Sequence, residues 1–139
     1  MIPWQCWTRY PEDCHRSQAV FVDVDFPDLV KRKRQVVLTT PALVSPLSGL
    51  QTETKDEGCP HVLLRSNSYF QVGCDLRRTA ALEQALASIV DVNECEFLFI
   101  AEVSITYMET DHADSLIQWA STVGQGKLLA SWCPGASYF

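Results

Sequence analysis

Apolar positions along the chain fall into short continuous runs separated by stretches with helical spacing. Ala19-Val-Phe-Val-Asp-Val24 and Phe97-Leu-Phe-Ile-Ala101 read as buried strands, the second being the clearest in the chain. Tyr69-Phe-Gln-Val72 reads as a third strand and Val62-Leu-Leu64 as a short flanking one. Trp4 to Tyr10 fits a short helix stopped by Pro11, and Pro27 opens a basic helix that runs to about Val37. Polar and turn-forming residues dominate 39–61, which reads as a loop. Thr79 is expected to cap a helix carrying Leu82, Ala85, Leu86 and Ile89 on one face. Thr110 or Asp111 is expected to cap another, with Ala113, Leu116, Ile117 and Ala120, ended by Gly124-Gln-Gly126. Strands alternating with helices predict an α/β fold, its parallel sheet covered on both faces.

Bulk properties narrow the function classes. The 139 residues have the length of one ordinary domain, and 47% apolar with 20% charged residues is a globular composition. A net charge of −6 is unlike a free-standing nucleic-acid binder, so an RNA substrate would need a local patch. No apolar run approaches the roughly 20 residues of a membrane span. The six cysteines, at 6, 14, 59, 74, 95 and 133, form no C-x-x-C pair and no zinc-spaced cluster with His15, His61 or His112. With no signal peptide at Met1-Ile-Pro-Trp-Gln, they read as reduced thiols of a cytoplasmic protein. Lys31-Arg-Lys-Arg34 reads as a solvated helix face rather than an RNA contact, and Trp4, Trp7 and Trp119 as packing residues. Tyr107 and Met108 could border a substrate pocket.

In open α/β sheets ligands bind beyond the carboxyl ends of the strands. Three acids stand there: Asp25, Asp75 and Glu102. A carboxylate after such a strand can accept hydrogen bonds from ribose hydroxyls or from an exocyclic amine. The alternative is that these acids cap the following helices, a role that suits Asp25 ahead of Pro27. On parallel strands all three would share one edge of the sheet.

Three segments carry a family resemblance. Val24-Asp-Phe-Pro-Asp-Leu-Val-Lys-Arg-Lys33, Val72-Gly-Cys-Asp-Leu-Arg77 and Ala101-Glu-Val-Ser-Ile-Thr-Tyr-Met108 resemble successive blocks of the leucine carboxyl methyltransferase family. Trp4 to Pro11 is similar to the segment after that family's glycine-rich loop, and the wybutosine-synthesizing branch looks nearest. The resemblance implies a Rossmann-like, class I S-adenosylmethionine-dependent methyltransferase fold. It also implies that Asp25 holds the cofactor's ribose, Asp75 and Leu76 flank its adenine, and Glu102 lies near its methionine end. The implied substrate is tRNA: carboxyl methylation and methoxycarbonylation of the modified guanosine beside the anticodon of phenylalanine tRNA. The sister branch would instead methylate the terminal leucine carboxylate of protein phosphatase 2A catalytic subunits. A non-catalytic α/β module is the rival from another class; a dinucleotide oxidoreductase is weakened by the lack of G-x-G-x-x-G.

The family's glycine-rich loop and first strand are expected before Trp4, yet no glycine precedes Gly49. That strand would lie at the sheet centre, between 19–24 and 97–101. The expectation is thus an incomplete fold: a partial methyltransferase domain over 1–125 and a divergent tail over 126–139. Expressed alone, the 139 residues would neither fold stably nor bind the cofactor.

Overall fold

The computed structural model describes residues 19–51, 60–101, 104–123 and 128–132, with side chains through 123. The helix expected at 4–10 lies outside the described residues. The chain forms two compact units, Met1–Asp75 and Leu76–Phe139.

The first unit holds strand β1 (Phe21–Asp25), helix α1 (Pro27–Thr39), a single helical turn α2 (Pro41–Val44), and strands β2 (Val62–Arg65) and β3 (Tyr69–Gly73). Its sheet has the order β1-β3-β2. β1 and β3 run parallel, from Phe21 opposite Tyr69 to Asp25 opposite Gly73. β2 pairs antiparallel with β3, which corrects the expectation of a uniformly parallel sheet. The reason is the connection: only Ser66, Asn67 and Ser68 separate the strands, and a parallel crossover needs a dozen or more residues. Buried Ser66 fixes the turn, its Oγ donating to Tyr69 O at 2.9 Å and accepting from Tyr69 N–H at 3.0 Å.

The loop expected over 39–61 is partly structured. α1 continues to Thr39, α2 follows, and Gln51 bridges to Arg65 of β2. Gly49 takes a left-handed φ of 66°, and any Cβ there would run into the Asn67 side chain.

Packing of α1 on the sheet follows from its sequence. Val30 and Val37, seven residues apart, are both buried and mark the inward stripe. Val37, Leu47, Leu64 and Tyr69 form a core cluster, with Phe21, Leu38, Leu43 and Leu50 packed around it. All five residues of β3 are buried, whereas in β1 only Asp23 is, which corrects the reading of β1 as a buried strand. β1 is an end strand of this sheet among the described residues, as is β2.

Gly73 permits the close approach of α1. A Cβ there would stand 3.0 Å from Pro27 Cα and 3.0 Å from Leu63 Cδ1. Because the Pro27 atom is backbone, Gly73→Ala should push the helix start away and cost about 1–3 kcal/mol. Urea denaturation of the two proteins would check this; unchanged stability would mean that the approach is looser than it looks.

The second unit contains α3 (Thr79–Ala87), β4 (Phe97–Ala101), a 3-10 turn (Ser104–Tyr107), α4 (Thr110–Thr122) and β5 (Leu128–Trp132). The helices start where expected, although their N-caps are Arg78 and Glu109, one residue earlier than the threonines. β4 and β5 are parallel, so a strand forms inside the stretch set apart as a tail. Phe97 and Phe99 stack at 5.7 Å, and the edge of Trp119 meets Phe99 at 5.6 Å. Trp119 Nε1–H donates to Glu83 Oε2 at 3.3 Å, tying α4 to α3. β4 is not buried on both faces as expected: Leu98 and Ile100 are 58% and 38% exposed. Alternation explains this, since the aromatic face alone meets α4.

Candidate functional site

The register of β1 and β3 sets the geometry. Asp25 ends β1 opposite Gly73, and Asp75 lies two residues beyond it, so both acids stand at the carboxyl edge of one parallel pair. The backbone fixes them further: Cys74 N–H donates to Asp25 O at 2.9 Å, and buried Cys74 leads directly into half-buried Asp75. Leu76 occupies the turn that opens the second unit. Glu102 lies outside the described residues. Tyr107, considered for a pocket border, is 86% exposed.

Asp25 does not cap α1. The N-cap is Phe26 and no side chain bonds the first-turn amides. Instead Asp25 Oδ1 accepts from Phe26 N–H at 2.8 Å, and its Oδ2 lies 3.0 Å from Lys33 Nζ. The side chain stays 31% exposed, and each oxygen retains acceptor capacity. That is the donor-seeking group a sugar hydroxyl requires.

Behind Asp25 runs a polar strip that the sequence reading missed. Lys33 Nζ also donates to both oxygens of buried Asp23 at 3.2 Å. Tyr69 Oη reaches Asp23 Oδ2 at 3.5 Å and accepts from Gln71 Nε2 at 3.0 Å. The sequence alone assigns Lys33 to a solvated basic face. Lys31 and Arg32 are indeed exposed, but Lys33 turns inward. The signals were present: Lys33 lies three residues after Val30 and four before Val37, on the buried stripe. Asp23 and Asp25 likewise share one face of β1 by strand alternation.

Burial pulls the Lys33 ammonium down, but Asp23 and Asp25 together outweigh it and raise its pKa. Burial, reinforced by Asp23, also pushes the Tyr69 phenol up, which keeps it neutral. Both groups therefore hold protons more tightly folded than unfolded. Their stabilisation is complete below about pH 10, where the unfolded groups begin to titrate, and is lost as pH rises through the folded values. Thermal melts should show stability falling above about pH 10 in the wild type. The Lys33→Met/Tyr69→Phe double variant should fall less steeply there. Equal slopes would count against these charge states.

An open concavity of about 440 Å³ lies in the second unit, along 87–93. A single continuous segment, Ala87 to Asn93, lines it. Among the described residues no group of His, Cys, Asp and Glu could hold a metal ion. No described helix is long and apolar enough to cross a membrane.

Comparison with known proteins identifies the family. Residues 8–121 match the profile of the family described as leucine carboxyl methyltransferase. A Gibberella zeae protein named tRNA wybutosine-synthesizing protein 4 is 48% identical over 127 residues, 91% of this chain. Proteins of the same name from Neurospora crassa and Emericella nidulans are each 34% identical, over 93% and 88% of the chain. The chain spans only 12%, 16% and 11% of the lengths of these three relatives. With residues 8–121 matched to its profile, the chain belongs to the leucine carboxyl methyltransferase family.

Proposed function

We propose that this chain contributes the ribose and adenine side of an S-adenosylmethionine site in a methyltransferase that acts on tRNA in wybutosine synthesis. The observation that carries this reading is the shared edge of Asp25 and Asp75 in a chain of this family. The residues suit the cofactor. Asp25 offers acceptor capacity at a partly open strand end, and Asp75 stands beside it on the same edge. Leu76 and Glu102 enter through the family resemblance: Leu76 against the adenine, Glu102 near the positive methionine end. When bound, the cofactor supplies a methyl group already activated on a sulfonium. A substrate carboxylate is already a nucleophile, so the protein's share is alignment and exclusion of water.

The tRNA substrate follows from the names of the relatives, and the scattered thiols suit a cytoplasmic enzyme.

The test is methyl transfer from labelled cofactor by the intact gene product. Phenylalanine tRNA lacking the last wybutosine steps should be labelled, and a peptide with the leucine C-terminus of the phosphatase should not. Labelling of the peptide alone would place the protein in the sister branch.

A further inference from the structure

We propose that Lys33 is a positioning residue: anchored by buried Asp23, it holds the Asp25 carboxylate in the orientation that receives the cofactor's ribose hydroxyls. This rests on the reading of Asp25 given above.

Asp25 is held at two points. One donor sits on each oxygen, Phe26 N–H at 2.8 Å and Lys33 Nζ at 3.0 Å. Two such points fix the plane of the carboxylate, so its remaining lone pairs keep one direction. A carboxylate held only by Phe26 could rotate about its last bond. Pre-organisation of this kind spares the entropy of ordering at the moment of binding.

A lysine on a helix surface ordinarily samples many rotamers. Here the ammonium meets both oxygens of Asp23, whose side chain is only 7% exposed. Asp23 is in turn met by Tyr69, and Tyr69 by Gln71. The Gln71 amide oxygen is buried and finds no partner among the described residues. Such a strip is a poor device for stability alone, because burying these groups costs desolvation that apolar residues would avoid. What it achieves is one ammonium directed at one carboxylate.

Charge supports the same role. Among the described residues two carboxylates share one ammonium, so Lys33 steadies Asp25 while divided between two acceptors.

The test uses the intact gene product, with calorimetric binding and thermal melts in parallel. The ligands are S-adenosylmethionine and a sulfonium analogue that lacks both ribose hydroxyls. Lys33→Met should weaken cofactor binding by roughly tenfold, the loss expected when a charge-assisted contact loses its geometry. Lys33→Arg should restore most of it. The analogue should bind both proteins alike, and Lys33→Met should add little in an Asp25→Ala background. Lys33→Gln takes the place of methionine if that variant does not fold. Unchanged cofactor affinity in a folded Lys33 variant would overturn the proposal, as would equal losses for both ligands. An Asp25→Ala protein that binds like wild type would overturn the ribose assignment itself, and this inference with it.

Discussion

Truncating Leu64 to alanine should destabilise the first unit by about 2–5 kcal/mol, the range for emptying a packed core position. Leu64 is 1% exposed and touches the cluster of Val37, Leu47 and Tyr69. Those residues come from α1, the segment after α2, and β3, so the side chain is the meeting point of three elements. The cavity cannot close easily, because β2 is held by the Ser66 turn and by its ladder with β3. The cost should therefore lie toward the upper end of that range. Val37 also sits one helical turn beyond Lys33, so loosening α1 should disturb the hold on Asp25 as well. Chemical denaturation gives the stability, and a loss below about 1 kcal/mol would mean that the core has another centre.

Much of this was legible in the sequence, and the exceptions have physical reasons. The strand at 69–72 and the helices starting near Pro27, Thr79 and Thr110 follow from apolar spacing and proline placement. The shared edge of Asp25 and Asp75 follows from the rule for strand ends, once the two strands are parallel. The direction of β2 does not follow from apolar pattern, which is blind to strand polarity; the three-residue link decides it. β5 escaped because Leu128-Leu-Ala-Ser-Trp132 has no β-branched residue and no clean alternation. Lys33 and Asp23 escaped for a different reason. Charged residues are assigned to solvent by default, and only Lys33 and Asp23 taken together reveal a satisfied buried pair.

The larger expected effect on function is at Asp25. On the proposed assignment, its removal deletes the acceptor for the ribose hydroxyls, and it leaves Lys33 with Asp23 alone. Losing a hydrogen bond to a charged group costs about 1.5–3 kcal/mol, or roughly 10- to 150-fold in affinity. Asp75→Ala should cost about 1–3 kcal/mol, through an adenine donor left unpaired. The two effects should be separable by ligand. Asp25→Ala should matter little for an analogue without ribose hydroxyls, whereas Asp75→Ala should weaken that analogue too. Glu102→Ala is expected to act differently again, with a greater loss for the whole cofactor than for adenosine.

The most direct measurement is a calorimetric titration of S-adenosylmethionine into the intact gene product and its Asp25→Ala and Asp75→Ala variants, each shown to be folded by its melt. The account predicts binding by the wild type and clearly weaker binding by both variants. Wild-type affinity in both folded variants would contradict it, and the strand-end acids would then not be the cofactor site.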